Sequence, residues 1–496
     1  MADSLRGLAT ARRAAWAVIA FAALSSACSQ APVMRTPEIA LPARFKEEAT
    51  PPSAARSADP LPREGWWKLY GDSELDALQR RLLEHSADLA SALARYRQAR
   101  AASEQLRASR FPRLDASFNT QADRQSEQRP LRVLGPNSPD EYRSTTLGFD
   151  LGYEVDLWGR VSNLVASGEA LERAAAADLE SARLSLQAQL ADRYVALRGV
   201  DQDVELLRGT EVAYRRALDL IAQRHGGGIA SGLDVARAQA QLESTRSQLK
   251  QSIAQRALIE HEIASLVGVP ASGFAIAPRV APIALPQVPA GLPSSLLQRR
   301  PDIAAAQRRV VAANASVGVA RAAFFPTVTL GAQFGLQSDD IRSLLQASNV
   351  FWAVGPTLFL SLFDAGRREA EVARARAVLD EAGAKYRVVV LAAFQQVEDS
   401  LALIDRLGSA HESERAAVEA AQRSLDLASA RYREGAASYL EVVTSQAATL
   451  QARRNADDLA TRQRRASVQL IRALGGGWVS PGEQPGTPGP ATHTGS

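Results

Sequence analysis

Cysteine is almost missing from this chain of 496 residues: there is one, Cys28. No internal disulfide can form, so any compact fold must come from packing alone. Histidine is nearly as scarce, and His85, His225, His261, His411 and His493 stand singly, without the paired spacing of a zinc site. No apolar run of ~18 residues occurs, which leaves no transmembrane helix beyond the N-terminus. His225-Gly226-Gly227-Gly228 lacks both a preceding strand and the Gly-Lys-Ser/Thr of a phosphate loop, so it reads as a helical turn. No clustered polar site for catalysis is visible, and the expectation is a protein that is not an enzyme and needs no cofactor and no metal. Charge of one sign is lacking too. The 58 basic and 54 acidic side chains give a net charge of +4, with arginines alternating with Asp and Glu along helical stretches. That is the habit of a solvated helix face, and it argues against nucleic acid as a partner.

The two ends read as processing and linker segments. Arg6, Arg12 and Arg13 precede a short apolar stretch, Ala14 to Leu24, as in a secretory signal covering residues 1–27. Leu24-Ser25-Ser26-Ala27-Cys28 resembles the lipobox of bacterial lipoproteins, although that pattern prefers leucine where Ser25 stands. The resemblance implies a palmitate-bearing Cys28, and Ser29 after it implies sorting to the outer membrane. Residues 28–62, with seven prolines from Ser29 to Pro62, read as an extended tether, and residues 479–496 as a disordered tail.

The core is one unit written twice, residues 63–284 and 285–478. Asp88-Leu89 and Asp302-Ile303 each open an Ala/Arg-rich helix that reaches a Phe-Pro pair, Phe111-Pro112 and Phe325-Pro326. Further on, Gly159-Arg160 matches Gly366-Arg367, Leu218-Asp219-Leu220 matches Leu425-Asp426-Leu427, and Leu266-Val267-Gly268 resembles Ala473-Leu474-Gly475. No proline falls between Asp140 and Val269 or between Thr357 and Ser480, so helices can run through both tracts. Leu186, Leu190, Tyr194, Leu197, Val204 and Leu207 recur at helical spacing, as do Tyr386, Val390, Ala393, Val397, Leu401 and Ile404. A helix from Arg160 to Arg224 would be roughly 97 Å long at ~1.5 Å per residue. Such a helix must pack along its length, and glycines at 226–228 and 435 mark the turns of two long helical hairpins.

A different period precedes each hairpin. Leu147, Phe149, Leu151, Tyr153, Val155 and Leu157 alternate with Gly148, Asp150, Gly152, Glu154 and Asp156, which suits a tilted transmembrane strand of ~9 to 11 residues. Leu114 to Asn119 is its expected partner, across a polar loop Gln121 to Arg143. Val328 to Leu336 and Val350 to Phe363 form the second pair, joined around Asp339 and Asp340. Four strands cannot close a membrane barrel, and open edges in lipid leave backbone groups unsatisfied, so the protomer must oligomerise to cross a membrane.

In this order and spacing, several motifs resemble the outer-membrane factor (TolC-like) family, especially its lipoprotein branch typified by OprM and NodT. They are Trp66-Trp67-Lys68-Leu69-Tyr70-Gly71-Asp72, the two Phe-Pro helix ends, Leu157-Trp158-Gly159-Arg160, Leu362-Phe363-Asp364-Ala365-Gly366-Arg367, Arg431-Tyr432-Arg433-Glu434-Gly435 and Ala473-Leu474-Gly475-Gly476-Gly477-Trp478. The resemblance implies a mixed, mainly α fold in a homotrimer, with long hairpins forming an α-barrel and four strands per protomer completing a transmembrane β-barrel. It implies an outer-membrane exit duct for small toxic compounds. The partners would be a periplasmic adaptor and an inner-membrane transporter, favoured as a proton-driven RND pump. Type I protein secretion and an elongated periplasmic coiled-coil adaptor are the alternatives. By the same resemblance, Glu441 stands in the acidic ring of the periplasmic aperture, while Thr444 takes its second acidic position. Asp234 is the outer-hairpin equivalent of Glu441, Arg431 and Tyr432 are a latch between neighbouring hairpins, and Gly228, Ile229, Ala230, Gly435, Ala436 and Ala437 form the adaptor-contact tip.

Overall fold

A computed structural model of the chain describes residues 30–34, 39, 42–47, 65–124, 126, 141–280, 283–288 and 296–478. Cys28, the leader and the tail 479–496 lie outside the described residues. The elements run α1 (Ser73–His85), α2 (Ala87–Ala108), β1 (Arg113–Arg124), β2 (Glu141–Val155), α3 (Arg160–Gly226) and α4 (Gly232–Leu266). From α2 onward the order repeats as α5 (Pro301–Ala322), β3 (Thr327–Ser338), β4 (Val350–Phe359), α6 (Arg367–Arg433) and α7 (Tyr439–Ala473). The lengths repeat as well: the helix before the strands has 22 residues in both sets, and the hairpin arms have 67 and 35. Equal arms keep both hairpins in step, as a tandem duplication requires.

The chain forms two compact units. Of the described residues, the strand-bearing unit holds 30–34 and those within 97–175 and 306–386, and the helical unit holds the rest, up to 478. In the strand-bearing unit the four strands make one antiparallel sheet in the order β1-β2-β3-β4. The central pairing, β2 with β3, joins the two repeats. Both strands of the first pair outrun their apolar stretches: Gln121 pairs with Ser144 and Arg124 with Glu141, so the expected loop from Gln121 to Arg143 is strand at both its ends. Backbone pairing needs no apolar side chains, and it continues past the point where they stop. In the other direction β4 ends at Phe359, short of the expected Phe363.

Where the sheet hands over to the hairpins, side chains cap the new helices. Asp156 accepts from the N–H groups of Val161 at 2.9 Å and Ser162 at 2.7 Å, starting α3. Trp158 stacks on Phe325 at 4.8 Å and donates its ring N–H to Pro326 O at 2.8 Å.

In the helical unit, Trp66, Trp67, Tyr70, Leu75, Leu78 and Leu82 enter a core with Leu190, Tyr194 and Leu197 of α3, Ile259 and Ile263 of α4, and Val468 and Ile471 of α7. A buried polar network reinforces this packing. Arg198, only 2% exposed, donates to Asp201 at 2.7 Å, to Ala277 O at 2.9 Å and to Glu74, while Asp72 accepts from Tyr194 and Arg279. The repeat symmetry reaches individual glycines: Gly268 ends the first hairpin at φ 75° and Gly475 the second at φ 91°. A Cβ at Gly268 would collide with His85 O, and one at Gly475 with Arg299 O. Only glycine fits either place. The tether reading needs correction here, since Phe45, within the 28–62 segment, is fully buried. A large aromatic among prolines gains too much from burial to stay in water.

Candidate functional site

Two surfaces carry the candidate functional residues, one in each unit. The first is the sheet. Cross-strand partners share a face, so the register sorts every side chain. Ala116, Phe149, Phe334 and Trp352 form one row across the four strands, flanked by Phe118-Leu147-Leu336-Val350 and Leu114-Leu151-Ala332-Val354. Phe149 and Phe334 stack at 5.0 Å. This face is apolar throughout yet open: Trp352 is 73% and Val354 72% exposed. The opposite face carries Asp115, Asp150 and Gln333 in one row, with Gly152, Gly331 and Gly355 in the next. A concave cavity of about 640 Å³ lies along this polar face, bounded by Arg113, Asp115, Asp150 and Gln333. Among the described residues, β1 and β4 are edges with no further strand beside them.

The second surface is the tip of the paired hairpins. Gly228 and Gly435 both adopt positive φ, 75° and 77°. In each turn the following N–H reaches back across the helix end: Ile229 N–H donates to Arg224 O and Ala436 N–H to Arg431 O, both at 2.8 Å. Ile229 is exposed, as are Gly228, Gly435 and Ala436, whereas Ala230 and Ala437 are half-buried. Beneath the turns Ile221 of α3, Ala238 of α4, Ala428 of α6 and Tyr439 and Val442 of α7 make a small core.

The two turns differ in how their acidic residue is used. Ser231 and Asp234 form a complete capping box, with Asp234 N–H donating to Ser231 Oγ at 3.2 Å and Ser231 N–H to Asp234 Oδ2 at 3.3 Å. Ser438 begins α7 without a side-chain cap. Its counterpart acid, Glu441, lies instead 3.4 Å from Arg431, whose guanidinium also donates to Ala436 O at 3.1 Å. Thr444 bonds back to Leu440 O at 2.9 Å. Tyr432 packs against Tyr439 at 5.4 Å, and Arg224, at the end of α3, lies 5.4 Å over its ring, so Tyr432 links the two hairpins of one protomer. Burial pushes the Tyr439 phenol up to about 12, aided by Tyr432, Tyr214 and Asp234. Arg224 and Tyr439 were not singled out in the sequence. The available signal was an aromatic on either side of the Gly435 turn.

The profile of outer membrane efflux proteins matches residues 78–269 and 292–476, one stretch for each repeat. This chain belongs to the outer membrane efflux protein family. The pyoverdine export outer membrane protein OpmQ of Pseudomonas aeruginosa is 35% identical over 92% of this chain and 95% of its own. Outer membrane protein OprJ of the same organism is 32% identical, covering 91% and 93%. The toluene efflux pump outer membrane protein TtgC of Pseudomonas putida is 33% identical, covering 93% and 95%. Among solved structures, the outer-membrane channel OprN superposes with a TM-score of 0.83 at 30% identity, over 91% of this chain and 100% of that one. The open state of the Neisseria gonorrhoeae MtrE outer membrane channel gives 0.78 at 25%, over 92% and 100%.

With this family come the fold and the function. The protein is an efflux channel of the outer membrane, reaching into the periplasm, with hairpins that build an α-barrel and strands that contribute to a β-barrel. The family consists of channel proteins. The outer-membrane factor reading of the sequence holds, and the periplasmic adaptor alternative falls away.

Proposed function

We propose that three copies of this chain close a twelve-stranded barrel and form the exit duct of a tripartite pump. A periplasmic adaptor joins that duct to a proton-driven inner-membrane transporter of the RND type, and small toxic compounds leave through it. The observation that carries this reading is the sheet: a continuous, exposed apolar face and two unpaired edges cannot rest in lipid until β4 of one copy pairs with β1 of the next. The export of pyoverdine by OpmQ and of toluene by TtgC favours small molecules over secreted proteins as cargo.

At the tip, three copies of Glu441 ring the aperture and draw cations, while Thr444 leaves that ring less charged than two carboxylates per copy would. Arg431 and Tyr432 hold the hairpins closed, and Gly228, Ile229, Ala230, Gly435, Ala436 and Ala437 present the small-residue surface on which adaptor helices pack. Cys28 carries the lipid. Native mass spectrometry of the protein extracted from outer membranes, paired with planar-bilayer recording, tests the duct. Trimers with stepwise conductance are expected, and a monomer that never conducts overturns the reading.

A further inference from the structure

The polar face of the sheet holds one residue that breaks its character. Three neighbouring rows on that face run Arg113-Gly152-Gly331-Gly355, Asp115-Asp150-Gln333-Ala353 and Ser117-Gly148-Gly335-Phe351, and Phe351 is their one aromatic. It is half-buried although every other residue of β4 is exposed. The cover comes from beneath. A Cβ on Gly335, its partner on β3, would stand 3.0 Å from Phe351 Cε1, and one on Gly148, the next partner on β2, 4.0 Å from Cζ. The ring therefore leans across two strands at places that carry no side chain. Glycine weakens a strand interior, and its presence here makes room for this close approach.

The adjoining row carries an unbalanced charge. Asp115 and Asp150 are direct cross-strand partners, an arrangement in which like charges repel. Arg113 Nε donates to Asp115 Oδ2 at 2.6 Å, whereas among the described residues nothing donates to the Asp150 carboxylate. One negative charge per copy is left over. The cavity of about 640 Å³ opens over this row and over Gly152, Gly331 and Gly355 beside it. Asp150 stands two residues from Gly148 on the same strand face, about 7 Å away, so one flat ion can touch both the ring and the carboxylate.

We infer that Phe351 and Asp150, with the cavity beside them, form a subsite for planar aromatic cations. The inference rests on the reading of this face as the wall of the duct and names a cargo class for it. The Phe351 ring takes up the flat apolar body of the ion, while its quadrupole and the carboxylate both attract the positive charge. The glycine floor leaves the ion space to lie down. An anion meets the unpaired carboxylate, and a compact cation finds nothing to stack on. Such a contact is weak and open to water, which suits a duct that must release what it passes.

The test titrates proflavine, a flat three-ring cation, into the purified protein in nonionic detergent, following fluorescence anisotropy against a detergent blank. The subsite belongs to a single copy, so binding is read whether or not the protein conducts. Phe351→Leu, apolar but without a ring, and Asp150→Asn are each expected to weaken binding by roughly fivefold or more, and Phe351→Tyr should bind as the parent does. Asp339→Asn, which removes a charge from the loop between β3 and β4, should leave the affinity unchanged. The two halves of the subsite are tested separately, so a folding failure in one variant leaves the other. The inference is overturned if the parent takes up no more dye than the blank, if Phe351→Leu binds as the parent does, or if Asp339→Asn weakens binding as much as Asp150→Asn. Protein that binds in the expected pattern but never conducts would overturn the duct and keep the subsite. Protein that conducts without that pattern would do the reverse.

Discussion

The guanidinium of Arg431 lies 3.4 Å from the carboxylate of Glu441, across the turn at Gly435. Asp234 at the matching place in the first hairpin is committed to capping its own helix. The pair is exposed and holds the turn by no more than ~1 kcal/mol. Its value is positional, since among the described residues no backbone N–H donates to that carboxylate. Glu441→Gln should lower cation selectivity and weaken blockade by divalent cations in planar bilayers. Asp234→Asn should leave both unchanged while costing about 1 kcal/mol of stability through the weakened cap. Unchanged selectivity in Glu441→Gln would remove that carboxylate from the constriction.

Tyr439 makes the tip sensitive to alkali. Its phenol is raised by burial to about 12 in the folded state, against about 10 unfolded, so folding favours the neutral form. The stability it contributes is fully present below pH ~10 and is lost as pH rises from there to about 12. Tyr439→Phe should flatten the decline of thermal stability with pH in that window, as followed by circular dichroism. A slope identical to the parent's would place the alkaline transition elsewhere.

The sheet makes an asymmetric prediction. Phe149→Arg or Leu151→Arg puts a charge on the apolar face and should cost ~2 to 4 kcal/mol near the bilayer midplane, read as lost yield of folded trimer. Asp150→Asn, on the polar face between them, should assemble at the parent's yield. Equal losses at Phe149 and Asp150 would mean that the apolar face does not meet lipid.

The two hairpin-closing glycines offer a matched pair. Gly268→Ala and Gly475→Ala each force a side chain at positive φ into a carbonyl, that of His85 or of Arg299. Each should destabilise the protein by at least ~1 kcal/mol, whereas Gly209→Ala, in mid-helix with no neighbour near its added carbon, should be neutral or stabilising. Urea denaturation midpoints separate the three. A Gly475→Ala variant as stable as the parent would show that Arg299 yields at no cost.

Local periodicity was enough to write down most of this fold. The three- and four-residue steps through α3 and α6, the proline-free tracts and the alternation from Leu147 to Val155 specify hairpins and strands, because side-chain spacing along an element depends only on its own backbone. The duplication was legible for the same reason, as matching motifs at a fixed offset. What the sequence left open were partnerships between distant residues. That β2 pairs with β3, uniting the repeats in one sheet, follows from hydrogen bonding across more than 170 residues of chain and has no local signature. Phe45 sits in a proline-rich stretch with the composition of a tether, and only the pocket around Val397 and Leu470, far along the chain, makes it core. The acids Asp234 and Glu441 occupy equivalent positions in equivalent helices, yet one caps and the other does not. Each turn has an arginine across from its acid, but Arg224 lies over the Tyr432 ring while Arg431 meets Glu441, and tertiary geometry decides where each arginine goes.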